Sequence, residues 1–258
     1  MPKVNEYFYS IQGEGPYVGQ PSYFIRFAGG CLLRCPYCDS KFSWDKDKGE
    51  DFLEVIKNIE IPDNCNNIIL TGGEPMRYWN DINLLSFVEN MAPYKNIMFE
   101  TTMIINKYDL LNNNVWDTII NVNCWFSQNL EEIDLFKYII SPKLEVDCYN
   151  GLISDYHKIF DYYYINDLGY SNIKWIKENM FYKIVYTEYN KSIIKEFIDK
   201  YIPEWFRRNI FMMPYTPIEF DKKVYQKSCE DTIEFCKEEG LIYSPRVHID
   251  VYGLKKGV

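Results

Sequence analysis

Along the chain, short runs of β-branched and aromatic residues alternate with stretches whose apolar residues recur at helical spacing. The runs Tyr23–Phe27, Ile68–Thr71, Ile97–Glu100, Tyr138–Ile140, Tyr182–Tyr186, Ile210–Met213 and Arg246–Tyr252 predict strands. Between them, Asp51–Glu60, Asp81–Met91, Ser192–Tyr201 and Asp221–Glu239 predict helices, with Asn80, Asp81 and Asn190 as candidate N-caps and Gly240 as a C-cap. Strands alternating with helices imply βα units, a parallel sheet and an α/β fold. Polar, glycine- or proline-bearing segments follow several strands directly: Thr71-Gly72-Gly73-Glu74-Pro75, Glu100-Thr101-Thr102 and Ser141-Pro142-Lys143. Parallel α/β folds carry their ligand sites at the carboxyl ends of the strands, so these segments are expected to line one rim of an open barrel. The stretches Asn112–Phe136 and Tyr149–Asn179 fit neither period and read as helical or irregular insertions. No repeat, low-complexity tract or linker divides the sequence, which predicts one domain over residues 1–258.

Composition narrows the partners. At 258 residues and 47% hydrophobic letters the chain can bury a full core. It has no apolar run long enough to span a bilayer, so no membrane partner is expected. A net charge of −9 argues against a broad nucleic-acid-binding surface and favours a small-molecule ligand. The 23 tyrosines read as packing residues.

The candidate chemistry starts at Cys31-Leu32-Leu33-Arg34-Cys35-Pro36-Tyr37-Cys38, three thiols spaced C-x3-C-x2-C. Three ligands fall one short of a closed tetrahedral zinc site. They also fall one short of the four thiolates of an ordinary [4Fe–4S] cluster. A three-cysteine loop makes sense if one iron is left open for another ligand. A zinc knuckle completed by a distant residue is the alternative. Cys65, Cys124, Cys148, Cys229 and Cys236 are scattered, His157 and His248 are the only histidines, and none forms a second ligand pair. A disulfide scaffold fits poorly with this length and the absence of an apolar N-terminal signal, so free thiols and a reducing, cytoplasmic setting are expected. The second motif, Thr71-Gly72-Gly73-Glu74-Pro75, follows the apolar run Ile68-Ile69-Leu70. Its glycines admit a ligand close to the backbone, and Glu74 can accept from a cationic amino group. Alone it would be an ordinary strand-to-turn corner.

Together the two motifs resemble the signature of the radical-SAM superfamily. Ser10-Ile11-Gln12-Gly13-Glu14-Gly15, Gly19-Gln20-Pro21, Phe24-Ile25-Arg26 and Cys38-Asp39-Ser40 narrow the resemblance to the 7-carboxy-7-deazaguanine synthase family. Ser141-Pro142-Lys143 and the tail from Arg246 to Val258 are similar to segments of that family. Arg26-Phe27-Ala28-Gly29-Gly30-Cys31 is one glycine longer than the family's usual spacing.

The resemblance implies an incomplete (β/α)6 barrel with insertions. It also implies a lyase acting in 7-deazapurine (queuosine) biosynthesis, which turns 6-carboxy-5,6,7,8-tetrahydropterin into 7-carboxy-7-deazaguanine with loss of ammonia. The cofactors it implies are a [4Fe–4S] cluster, S-adenosyl-L-methionine as the source of a 5′-deoxyadenosyl radical, and Mg²⁺. An electron donor such as a flavodoxin or ferredoxin and a homodimer go with them. By the same resemblance Cys31, Cys35 and Cys38 hold the cluster. Tyr37, Cys38, Asp39, Gly73, Glu74, Thr101, Ser141, Pro142 and Lys143 contact S-adenosyl-L-methionine. Ile11, Gln12, Gly13, Glu14, Arg26, Thr71 and the terminal Val258 contact the pterin, and Ser40 binds Mg²⁺. Arg26 would grip the substrate carboxylate, Ser40 is equally a helix-cap candidate, and His248 reads first as a strand core residue. Two other readings share the cysteine spacing: an activase that installs a glycyl radical on a partner, and a non-catalytic metal or cluster module.

Overall fold

The computed structural model describes residues 1–29, 31–35, 38–103, 136–144, 176–255 and 257. The chain divides into two compact units. One comprises Met1–Ile11, Gln20–Ile139 and Gly257–Val258; the other comprises Gln12–Gly19 and Ile140–Lys256.

In the first unit, β1 (Lys3–Ile11) pairs antiparallel with β2 (Pro21–Phe27) and with the two-residue β3 (Glu50–Asp51). β2 runs parallel to β4 (Asn67–Gly72), and β4 parallel to β5 (Asn96–Thr101), with β6 (Phe136–Ile140) next in order. Ile68, Ile69 and Leu70 of β4 and Ile97 and Met98 of β5 are wholly buried. Near-continuous apolar runs of this kind belong to parallel strands covered on both faces. The helices α1 (Phe52–Asn58) and α2 (Ile82–Met91) bury Phe52, Val55, Leu84, Phe87 and Val88. Phe52 packs against Phe27 at 5.6 Å and against Phe87 at 5.7 Å between ring centroids.

In the second unit, β7 (Met180–Tyr186), β8 (Ile210–Pro214) and β9 (Ile242–Tyr243) run parallel in that order. Helices α3 (Lys191–Tyr201) and α4 (Lys222–Glu239) bury Ile194, Phe197 and Ile198, and Tyr225, Thr232, Phe235 and Cys236. Tyr182 meets Phe206 at 5.0 Å and Tyr186 stacks on Phe235 at 4.8 Å.

Six of the seven expected strands form, and all four expected helices do, within a residue or a few at their ends. The exception is Arg246–Tyr252. Val247–Tyr252 is a short helix, α5, closed by Gly253 at φ 63°. The alternation of Val247, Ile249 and Val251 suggested one inward face, yet only Ile249 is buried and Val251 is 63% exposed. Backbone N–H groups of Ile249 and Asp250 instead donate to the carbonyl of Arg246. β1 went unrecognised because Asn5, Glu6 and Ser10 interrupt its apolar pattern. Asp81, not Asn80, caps α2: its carboxylate accepts from the N–H groups of Asn83 at 3.0 Å and Leu84 at 3.3 Å. Asn190 stands at the start of α3, but its side chain accepts from Thr187 N and donates to Val185 O. Gly240 ends α4 with φ 67°, as expected of a C-cap. Except for Phe136 and the helical residues 176–179, the two proposed insertions lie outside the described residues.

Replacing Asp81 by Ala should lower stability by about 1 kcal/mol, the usual worth of an N-cap. Asn80→Ala should leave it unchanged; denaturant unfolding of both variants checks the assignment.

Candidate active site

Because β2, β4 and β5 are parallel, their carboxyl ends share one edge of the first unit. Arg26 lies near the end of β2, Thr71 and Gly72 end β4, and Glu100 and Thr101 end β5. Arg26 stands opposite Thr71 in the sheet register. The Thr71 hydroxyl donates to Glu100 at 3.0 Å. Arg26 Nε donates to Glu6 at 2.7 Å and Nη1 to the Ser40 hydroxyl at 3.2 Å, with the guanidinium 5.7 Å from the Phe42 ring centre. The Ser40 hydroxyl in turn donates to Asp39 at 3.0 Å. Ser40 also precedes the short helix Lys41–Trp44, but its side chain makes no capping bond there. Gly72, at φ 92°, admits no side chain: a Cβ would lie 2.3 Å from Arg26 Cγ and 2.6 Å from the Phe27 carbonyl.

The cysteine loop follows β2. Cys31, Cys35 and Cys38 are free thiols; Cys35 is buried and the other two are half-buried. The Cys38 N–H donates to the Cys35 carbonyl at 3.1 Å, and Arg34 between them holds φ 44°, uncommon for a residue with a Cβ. Among the described residues, no three Cys, His, Asp or Glu side chains converge closely enough to hold an ion, so the thiols share a loop without meeting at one point. Tyr37 lies outside the described residues.

After β4, the Gly73 N–H donates to the Phe27 carbonyl at 3.1 Å, and Glu74 is fully buried. Its carboxylate accepts from Met76 N at 3.1 Å, from Thr102 N at 2.8 Å, from the Thr102 hydroxyl at 2.6 Å, and from the Thr101 hydroxyl. Burial pushes its pKa up, and the bonds from Thr101, Thr102 and Met76 only partly offset this. Among the described residues no cation is paired with it.

The second unit builds a different polar cluster around Glu14. The buried Glu14 carboxylate takes Lys183 Nζ on one oxygen at 2.9 Å and Arg246 Nε on the other at 2.7 Å; His248 Nε2 lies 3.6 Å away. Burial raises its pKa, but the charges of Arg246, Lys183 and His248 and the Lys183 hydrogen bond outweigh it and hold the carboxyl well below its ordinary range. The loop is fastened at several points. Val247 N donates to the Gly13 carbonyl at 3.0 Å, Gly15 N to the Ser244 hydroxyl at 2.7 Å, and Glu14 N to the Gln12 side chain at 3.2 Å. A Cβ on Gly13 would sit 2.1 Å from His248 Nδ1.

The expected site residues therefore fall into two groups. Cys31, Cys35, Cys38, Asp39, Ser40, Arg26, Thr71, Gly73, Glu74 and Thr101 belong to the first unit, and Ile11 ends β1 in it. Gln12, Gly13 and Glu14 belong to the second, as do Ser141, Pro142 and Lys143 directly after β6. Val258 lies outside the described residues. His248, expected in a strand core, sits half-buried on α5 against Gly13 and Glu14. Sequence reasoning passed over Glu6 and Lys183, and it placed Glu100 and Thr102 on the ligand rim without giving them a role. Lys183 did leave a signal: a lone cation inside the apolar run Met180–Tyr186.

Residues 11–136 match the family described as a 4Fe-4S single cluster domain. The 7-carboxy-7-deazaguanine synthase of Rhodospirillum rubrum is 48% identical over 77 residues, 29% of this chain and 32% of that protein. That of Clostridium acetobutylicum is 37% identical over 116 residues, 43% of this chain and 50% of that protein. The chain thus spans from about a third to a half of the length of these curated relatives. The crystal structure of QueE from Escherichia coli is similar over 96% of this chain and 94% of its own, with a TM-score of 0.59 at 18% identity, a likeness of fold. These similarities first set the class, an α/β chain whose residues 11–136 resemble a single-cluster iron–sulfur domain. Within that class, its relatives are 7-carboxy-7-deazaguanine synthases, and the resemblance read from the cysteine, Gly-Gly-Glu-Pro and Gln12–Gly15 motifs is borne out.

The Glu14 cluster makes a pH-dependent prediction. A carboxyl held below its ordinary 4.5 in the folded state stabilises fully above that value, and the contribution fades as pH falls through the folded pKa. Glu14→Gln should destabilise by about 3–5 kcal/mol at pH 7, because two buried cations lose their counter-charge. It should also flatten the loss of stability on acidification below 4.5. Denaturant unfolding across pH measures both.

Proposed function

We propose that the chain is a radical-SAM carbon–nitrogen lyase converting 6-carboxy-5,6,7,8-tetrahydropterin to 7-carboxy-7-deazaguanine with loss of ammonia. What carries this reading is one edge of the first unit, where a three-thiol loop follows β2 and a buried carboxylate with only neutral donors follows β4.

The donor set fits a cluster: three free thiols in one short loop are soft ligands of the kind iron–sulfur clusters take. Cys31, Cys35 and Cys38 would hold the [4Fe–4S] cluster, and when bound it supplies the electron for reductive cleavage of S-adenosyl-L-methionine. Glu74 is assigned to the ammonium of that molecule, since a cation is what a buried carboxylate of raised pKa lacks. Gly73, Thr101, Tyr37, Cys38, Asp39 and Ser141–Lys143 are assigned to the rest of it. The pterin is assigned to Ile11, Gln12, Gly13, Glu14, Arg26, Thr71 and Val258. Glu14 serves by holding the loop, because the cations Lys183 and Arg246 already balance its charge. Ser40 and Asp39 offer adjacent hard oxygens to Mg²⁺, a cation that takes few protein ligands and keeps its waters.

In this reading residues 1–258 form one domain, an incomplete (β/α)6 barrel. The enzyme acts in the cytoplasm as a homodimer, reduced by a flavodoxin or ferredoxin. No helix among the described residues is long and apolar enough to cross a membrane.

The test is anaerobic reconstitution with iron and sulfide, then incubation with reductant, S-adenosyl-L-methionine and the carboxy-tetrahydropterin. The expected products are the carboxy-deazaguanine and ammonia. Cluster loading without the deazapurine would overturn the substrate assignment. Cys31→Ala, Cys35→Ala and Cys38→Ala should each lose iron and sulfide, whereas Cys65→Ala, Cys229→Ala and Cys236→Ala should keep them. A full complement in Cys35→Ala would refute the ligand set.

Mg²⁺ gives a separate test. Ser40→Ala should lower turnover and abolish its stimulation by Mg²⁺, and Ser40→Thr should preserve both. Undiminished stimulation in Ser40→Ala would remove Ser40 from the metal site.

A further inference from the structure

Strand β1 pairs with β2 residue for residue from Glu6 to Ile11, but the register slips just before. Val4 stands opposite Phe27 and Glu6 opposite Arg26, so Asn5 is one residue too many. Side chains alternate along a strand, so without the slip Val4 and Glu6 would share a face. Val4 and Phe27 both point into the core, 1% and 0% exposed. The bulge reverses the alternation and brings Glu6 to the face of Arg26, where its carboxylate accepts from Nε at 2.7 Å.

We propose that Glu6 is a positioning residue for the carboxylate of the substrate, an inference that rests on the reading of Arg26 given above. A guanidinium offers a carboxylate two kinds of edge, the Nε side or the Nη1–Nη2 end. Glu6 takes Nε and so reserves the end-on edge. Ser40 takes one Nη1 proton at 3.2 Å, and the Phe42 ring lies 5.7 Å from the guanidinium carbon. Among the described residues Arg26 has no further partner, and three of its five N–H groups remain for a ligand. The ion pair is half-buried, with side chains 18% and 22% exposed, so it holds the guanidinium in place without sealing it off.

The experiment compares dissociation constants of the reconstituted protein, with S-adenosyl-L-methionine bound, for 6-carboxy-tetrahydropterin and for the tetrahydropterin lacking that carboxylate. Arg26→Ala should abolish the preference for the carboxylated ligand. Glu6→Ala, and Glu6→Met, which fills the same space without an acceptor, should reduce that preference about tenfold, the worth of one charge-assisted hydrogen bond. Affinity for the ligand without a carboxylate should stay unchanged in both. Glu6→Gln keeps an acceptor oxygen and should retain the preference. If Glu6→Ala and Glu6→Met keep the preference while Arg26→Ala has lost it, the role of Glu6 is overturned and that of Arg26 stands. A preference intact in Arg26→Ala overturns the reading of Arg26 itself, and that of Glu6 with it.

Discussion

A strand covered on both faces has no place for polar side chains until it ends, and the first unit is built around that constraint. Ile68, Ile69 and Leu70 are sealed from water, and polarity begins at Thr71, followed by Gly72, Gly73 and Glu74. The same holds for β5, where Ile97, Met98 and Phe99 give way to Glu100, Thr101 and Thr102. Parallel pairing aligns these transitions, so residues distant in sequence share one edge. Hydrophobic burial thus locates the chemistry by excluding it from the middle of these strands.

Among the described residues two carboxylates are removed from water, and they are matched in opposite ways. Glu14 is balanced by Lys183 and Arg246, and its proton is lost more readily than usual. Glu74 is met by amide and hydroxyl donors alone, and its proton is held more tightly than usual. The first arrangement is complete in itself and serves as a fastening. The second is hydrogen-bonded yet electrically unbalanced, which is the condition of a group that gains most from an arriving cation.

How much of this was legible in the sequence depended on whether each signal was local. Strands β2 and β4 to β8 announce themselves as apolar runs, the thiol motif stands out by its spacing, and Gly-Gly-Glu-Pro gains meaning only beside it. Arg246–Tyr252 was misread because alternation in so short a segment does not establish a face; its backbone bonds to Arg246 and Gly13 decide in favour of a helix. Glu6 left no signal, and the lone cation Lys183 gave no hint of its partner, because Arg26 and Glu14 lie 20 and 169 residues away. Pairings at that separation are properties of register and packing.

The bulge at Asn5 also bears on how this strand can change over time. In a loop, losing or gaining a residue alters length; in a regular strand it alters parity, and the bulge is where this strand absorbs the extra residue. Deleting Asn5 would place Val4 next to Glu6, and ordinary alternation would keep Val4 opposite Phe27 and Glu6 opposite Arg26. A deletion at Asn5 is therefore absorbed in place, whereas one between Tyr7 and Ile11 would turn Glu6 to the opposite face of the sheet. An alignment that opens its gap at Asn5 keeps Val4 and Glu6 each on its own face.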